Sequence, residues 1–224
     1  MVVVDYDSQT DLLYALRGTD LVISTVSGSP QINLIDAASR AEVRRFVPAD
    51  FEGQFAESIA MLYYGQETNL EYKGPPTRRR GNEDPFDRGR AAALDYLREI
   101  SRRNTRRPML FTTFTCGVFY ERFARGGLAS KGIGLGTGLE QQGAYLLDIE
   151  RNTGEVIENN AAGQPVYLCL TSIVDVARFV VAAIGLGINN WPAEFRMRGD
   201  RRTVTQIIEY AEAIKRSELG IFSK

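Results

Sequence analysis

LVISTVSGSPQINLIDAASRAEVRRFVPADF, residues 21–51, reads as one strand–helix–strand unit. Residues 21–26 form a short apolar run without alternation, the pattern of a strand covered on both faces in a parallel sheet. Ser27, Gly28, Ser29 and Pro30 break the run. A helical pattern follows, with Ile32, Ile35 and Ala38 on one face and Leu34, Ala37 and Ala41 beside it. Residues 43–47 are a second apolar run, closed by Pro48. The length suits a crossover between parallel strands. Ligands of such sheets sit beyond the carboxyl ends of strands. Here those ends are Ser24–Thr25–Val26 and Pro48–Ala49–Asp50–Phe51.

The remaining composition narrows the chemistry. The chain has 224 residues, enough for one α/β domain or a domain plus a small lobe. A formal net charge of −1 favours neither nucleic acid nor an anionic membrane. Cys116 and Cys169 lack metal-ligand spacing and suit a reducing compartment. There is no histidine, which removes Ser-His-Asp and Cys-His nucleophiles, the common zinc-hydrolase sites and histidine general bases. No apolar run approaches the roughly 18 residues of a membrane span, and no signal peptide is visible, so the expected compartment is the cytoplasm.

Outward from the central unit, Val2–Val3–Val4–Asp5 predicts a strand with an acid at its carboxyl end, and residues 8–18 predict a helix stopped by Gly18. No GxGxxG or GxxGxxG motif precedes residue 21, so the phosphate-binding turn of a dinucleotide fold is not expected here. YKGPPTRRRGNED, residues 72–84, reads as a mobile surface loop or as an anion-binding flap. Ala91, Leu94, Leu97 and Ile100 predict a helix over residues 86–102. Residues 108–114 form another β-rich run, opening into Thr115–Cys116–Gly117–Val118–Phe119–Tyr120–Glu121–Arg122. GIGLGTG, residues 132–138, is read as a flexible loop, because no helical pattern follows as a phosphate-binding loop requires. Short strands are predicted at residues 145–148, 155–158 and 166–170. A largely buried helix follows at 173–185, with Val174, Ala177, Val181 and Ile184 on one side and Phe179 and Val180 on another. Residues 195–199 read as a strand and turn. A last helix spans 204–215, with Ile207, Ile208, Ala211 and Ile214 inward.

Several segments together carry a family resemblance: VVVDYDSQTDLLYALRGTDLVISTV, LIDAASRAEVRRFVPADFEG, DRGRAAALDYL, CGVFYERFARGGLAS, AAGQPVYLCLTSIVDVARFVVAAI and FRMRGDRRTVTQIIEYA. The chain resembles NmrA-like, isoflavone-reductase-like proteins, atypical short-chain dehydrogenases of a form common in filamentous fungi. The resemblance implies a Rossmann domain with a small C-terminal lobe. It implies NAD(P)H use in many members and cofactor sensing without catalysis in others. It assigns Ser24, Thr25 and Val26 to the cofactor's ribose and nicotinamide side, and Pro48 and Phe51 to a conserved turn in which Ala49 and Asp50 depart from the family's residues. It sets Cys116, Gly117, Val118 and Phe119 beside the nicotinamide. The family's active lysine would lie near Arg88 and Arg90, and a permanently protonated arginine is a poor proton shuttle.

The expected fold is therefore α/β: a truncated Rossmann-like parallel sheet flanked by helices over residues 1–130, with a small α+β lobe over 131–224 from which one strand and helices can return to the main domain. Candidate catalytic residues are Arg90, Tyr120 and Asp50, and Asp5 is a candidate ribose-binding acid. Each has a plainer role open to it: a packed aromatic for Tyr120, a turn cap for Asp50, a helix cap for Asp5. Glu121 and Arg122 read as an ion pair, and Cys116 as a small buried hydrophobe. The expected cofactor is NADP(H), bound weakly or not at all. Absent turn contacts are each worth about 1.5–3 kcal/mol. The expected function is oxidation or reduction of a small aromatic or polyketide-like molecule in fungal secondary metabolism. The alternatives are a cofactor-independent isomerase, cyclase or dehydratase, and a non-catalytic regulatory module. Expected partners are a small-molecule substrate and a second copy meeting an open sheet edge, with neither nucleic acid nor membrane.

Overall fold

The computed structural model describes residues 1–49, 51–52, 89–103, 106–135, 140–143, 145–160, 162–215 and 220–223. It divides into two compact units. Among the described residues, those within 1–52, 89–115 and 179–196 make the first, and those within 116–178 and 197–223 the second. Residues 116–130 thus group with the second unit, and 179–196 return to the first.

The first unit opens with α1 (Gln9–Leu16), capped by the Ser8 hydroxyl, which accepts from the Asp11 N–H at 3.3 Å. Next come β1 (Leu21–Ile23), α2 (Ser29–Arg40) and β2 (Arg45–Val47). The quoted stretch therefore folds as the strand–helix–strand unit its apolar runs indicate. After α3 (Arg90–Arg103) come β3 (Leu110–Phe111) and β4 (Thr113–Thr115). β1 pairs with β2 and β2 with β3, all parallel. β4 pairs in parallel with β9 (Glu194–Arg196), in the register Thr113↔Glu194 and Thr115↔Arg196. Thr112 links β3 of the three-stranded sheet to β4 of the two-stranded one: its N–H donates to Phe46 O at 3.0 Å and its hydroxyl to Pro192 O at 2.8 Å.

Helices cover this sheet as periodicity dictates. Leu34, Ile35, Ala37 and Ala38 of α2 and Ala93, Leu97 and Ile100 of α3 form one core with Leu12, Val22, Val43 and Phe46. Phe114 and Phe195 form a second cluster with Trp191 and Phe179. Neighbouring residues of a strand face opposite ways. Thr113, Thr115, Glu194 and Arg196 therefore project to the other side of β4 and β9 from Phe114 and Phe195.

The expected strand at residues 2–5 does not form. A strand needs a neighbour for its N–H and C=O groups, and none lies beside these residues among those described. Val2 and Val3 are exposed, while Val4 packs against the core.

The second unit holds β5 (Val118–Phe119), β8 (Tyr167–Thr171) and β10 (Asp200–Thr203) in one sheet, ordered β10–β8–β5. β6 (Leu147–Asp148), β7 (Thr153–Val156) and β11 (Gly220–Ser223) form another. Its core gathers Val118, Tyr145, Leu147, Leu168 and Leu170 with Val204, Ile207 and Ile208 of α5 (Val204–Lys215). α4 (Ile173–Gly185) has the expected bounds but is far less buried than expected. Its Val174–Val181–Ile184 side faces solvent, with Val181 68% exposed, and Val176 and Ala183 are the buried residues. Ile214 of α5, expected inward, is 76% exposed. Among the described residues no helix is long and apolar enough to cross a membrane, and no His/Cys/Asp/Glu group could hold a metal ion.

Candidate active site

The carboxyl ends of β1, β2 and β4 lie along one edge of the parallel sheet in the first unit. Ser24 follows β1 and is buried; its N–H donates to Val47 O at 2.8 Å. Its hydroxyl donates to Val26 O at 3.0 Å and accepts from the Val26 N–H at 3.3 Å, which curls the chain and leaves Thr25 exposed. Gly28 then takes φ 72°, and α2 begins without a side-chain cap. A Cβ on Gly89, ahead of α3, would stand 3.2 Å from Gly28 Cα, so glycine at position 89 lets the two helix starts approach closely. Buried Gln31 of α2 accepts the Ala49 N–H at 2.6 Å and ties the helix to the tip of β2. Pro48 is buried, and Phe51 packs on Phe114 with ring centroids 6.2 Å apart. Asp50, Arg88 and the basic loop at residues 72–84 lie outside the described residues.

A charged group stands on β4 and β9 at this edge. The Thr115 hydroxyl donates to Glu194 Oε1 at 2.6 Å, and Arg196 Nε donates to Glu194 Oε2 at 2.7 Å. Glu194 is held below the ordinary glutamate value, first by the Thr115 hydrogen bond. Partial burial opposes this; the Arg196 hydrogen bond and the charges of Arg196 and Arg90 add to it. Arg90, the first residue of α3, is thereby brought into electrostatic range of the strand tips. Glu194 and Arg196 were not among the residues singled out from the sequence. The polar–apolar–polar alternation Glu194–Phe195–Arg196 was the available signal for which side chains share the face of Thr115.

The other candidates take different places. Asp5 Oδ1 accepts the Asp7 N–H at 2.9 Å and its carbonyl accepts from Ser8, which is the turn before α1. In the second unit, Cys116 is fully buried and its carbonyl accepts from the Thr171 hydroxyl; Val118 is in the core and Phe119 is buried. These side chains pack, so the 116–119 segment has only backbone groups to present to a ligand. Tyr120 is 40% exposed. Its hydroxyl is raised above the ordinary tyrosine value, first by burial, then by the charge of Asp200 and a hydrogen bond to it, against the lowering influence of Arg202. That direction makes it a weaker acid. The Glu121 carboxylate accepts the Ile173 N–H at 3.1 and 3.2 Å and caps α4. Arg122 is buried, with its guanidinium 5.9 Å from the Tyr145 ring.

The fold recurs in known structures. A nucleoside-diphosphate-sugar epimerase from Staphylococcus aureus is similar over 99% of this chain, with a TM-score of 0.55 and 14% identity. UDP-glucose 4-epimerase from Bifidobacterium longum, complexed with NAD+ and UDP, is similar over 100% of this chain, with a TM-score of 0.56 and 13% identity. Leucoanthocyanidin reductase from Vitis vinifera is similar over 100% of this chain, with a TM-score of 0.55 and 14% identity. The chain spans 62%, 70% and 63% of those proteins, respectively. Over 76 residues it is 35% identical to the oxidoreductase aprR of Aspergillus flavus, a match covering 30% of this chain and 26% of that protein. No family model matches. At these identities the shared feature is architecture, and the chain has the Rossmann-type α/β fold found in sugar epimerases and in leucoanthocyanidin reductase.

Proposed function

We propose that the chain is an NAD(P)-linked oxidoreductase acting on a small aromatic or polyketide-like molecule in fungal secondary metabolism. The observation that carries this reading is the Thr115–Glu194–Arg196 group beside Arg90, at the carboxyl edge of a parallel sheet. That edge is where doubly wound folds bind their ligands. The stretch Ser24–Thr25–Val26 would hold the cofactor's ribose, with the exposed Thr25 hydroxyl as a donor. Bound, the cofactor would supply hydride chemistry. Arg90 polarises a carbonyl or seats an anionic group of the substrate, because its charge is permanent. Glu194, fixed by two hydrogen bonds, accepts from a substrate hydroxyl and orients it. The β1–α2 turn carries the single glycine Gly28, which supports weak NADPH binding by this chain.

A second reading is a cofactor-independent isomerase, cyclase or dehydratase, in which proton transfer alone suffices. Turnover of a panel of aromatic ketones and quinones, with and without NADPH, separates the two. Consumption that requires NADPH supports the oxidoreductase. Equal consumption without it supports the isomerase or dehydratase. No consumption in either case, with a protein partner recovered, supports a regulatory module.

A further inference from the structure

Gln31 lies in the first turn of α2 and is only 2% exposed. Its Oε1 accepts the Ala49 N–H at 2.6 Å, which fixes the planar amide between α2 and the tip of β2. The other arm of that amide, Nε2, has no hydrogen-bond partner among the described residues. Nor is it one of the polar atoms sealed from solvent, so it opens onto accessible space at the carboxyl edge of the sheet. A buried amide N–H without an acceptor is costly, and native folds keep few of them. A donor that is fixed, largely desolvated and open on one side is the kind of polar group that orients a ligand in a pocket.

The turn ahead of Gln31 is rich in donors. Pro30 has no N–H, and those of Gln31 and Ile32 donate to Gly28 O at 3.1 and 3.3 Å, so the backbone there offers the Ser29 N–H alone. Ser27 and Ser29 add hydroxyls, and the first turn of α2 holds no acidic residue. Gly28 turns with φ 72°. Where a Cβ on it would stand, only Pro30 Cδ, at 3.9 Å, comes within 4 Å among the described residues. A ligand oxygen therefore has room against the Gly28 backbone. The start of α3 closes in on another side, since a Cβ on Gly89 would stand 3.2 Å from Gly28 Cα. The positive ends of a 12-residue and a 14-residue helix thus meet at this turn.

We infer that the β1–α2 turn is a phosphoryl-binding site, with Gln31 Nε2 donating to one phosphoryl oxygen and the Ser29 N–H and the Ser27 and Ser29 hydroxyls to the others. The inference rests on the reading that ligands occupy the carboxyl edge, and it names the chemical group held there. Donors without an acid beside them, at two converging helix starts, select an anion over a neutral acceptor. A phosphoryl group has several oxygens and so can use donors on more than one side, each bond charge-assisted. One amide and one backbone N–H make fewer such bonds than a glycine-rich phosphate loop, so inorganic phosphate is expected to bind at about millimolar strength.

The test follows the Gln31 side-chain N–H signals of the 224-residue chain by NMR in low-salt, phosphate-free buffer. The probes are inorganic phosphate, ribose 5-phosphate and NADPH, with sodium chloride and acetate at matched ionic strength as controls. The expected result is a saturable shift of the Gln31 signals with both phosphate probes, at lower concentration for ribose 5-phosphate, and none with chloride or acetate. Gln31→Glu keeps an acceptor for the Ala49 N–H and sets a carboxylate against the anion, so it is expected to weaken ribose 5-phosphate binding by about tenfold or more. If that variant does not fold, the signals of the parent chain carry the test. Phosphate probes that move Gln31 while NADPH does not bind support the inference and remove the cofactor reading. NADPH that binds while none of the three probes moves Gln31 does the reverse. No shift with the phosphate probes, an equal shift with chloride or acetate, or undiminished binding by folded Gln31→Glu overturns the inference.

Discussion

Thr115 and Glu194 are joined by a 2.6 Å hydrogen bond across the parallel pair β4–β9. The bond favours the ionised carboxylate and depresses its pKa. A group with a depressed folded-state pKa contributes stability that is complete above its unfolded value, about 4.3 for glutamate, and that is lost as pH falls through the folded value. At pH 7 Glu194→Gln is therefore expected to be the less stable protein. Between about pH 5 and pH 3 the parent's urea midpoint should fall more steeply than the variant's. Parallel curves would show that the carboxylate contributes nothing specific.

Arg90 begins α3 near this carboxylate, whereas Arg98 on the same helix pairs with exposed Asp95 at 2.7 Å. Arg90→Ala should lower kcat/KM on any substrate found by about 100-fold, the size typical of a lost electrostatic contact to reacting atoms. Arg98→Ala should change it less than about twofold, since exposed ion pairs contribute little. Equal losses in the two variants would move the site away from the strand tips.

The quoted stretch was legible because its apolar runs are short, dense and separated by turn residues, which leaves few alternatives to strand–helix–strand. The polar group on β4 and β9 was not. Thr115 and Arg196 face each other only through a strand pairing 81 positions apart in sequence, and no local pattern reports register at that distance. Val2–Val3–Val4 failed for a related reason: β propensity describes a residue's fit to a sheet, not whether a neighbour exists. α4 shows a third kind of loss. Its sequence, IVDVARFVVAAIG, is apolar nearly all round, so periodicity identifies which residues share a face without saying which face is covered.

Gly117 turns with φ 76° just ahead of β5, and a Cβ there would sit 2.4 Å from the carbonyl oxygen of Cys169 on β8. Backbone cannot give way as a flexible side chain can. Gly117→Ala is expected to cost about 3 kcal/mol or more, combining overpacking with an unfavourable backbone angle. Hydrogen exchange should show β5, β8 and β10 losing protection together. Unchanged protection would mean that the approach of Gly117 to Cys169 is not needed for the sheet.

The aromatic cluster and the outer side of α4 make opposite predictions for apolar side chains of similar type. Phe114 is 1% exposed and stacks on Phe195 at 5.0 Å, with Trp191 and Phe179 edge-on at 5.7 and 5.9 Å. Phe114→Ala removes every one of these contacts and leaves a cavity that flanking strands cannot close, so a loss of about 3–5 kcal/mol is expected. Val181 belongs to an apolar side of α4, yet it stands in solvent. Val181→Ser should then change the urea midpoint by no more than about 0.5 kcal/mol equivalent, because no apolar area is returned to water on mutation. Were Val181→Ser to cost about 2 kcal/mol or more, that side of α4 would be covered in solution, and its apolar stripe would be core after all.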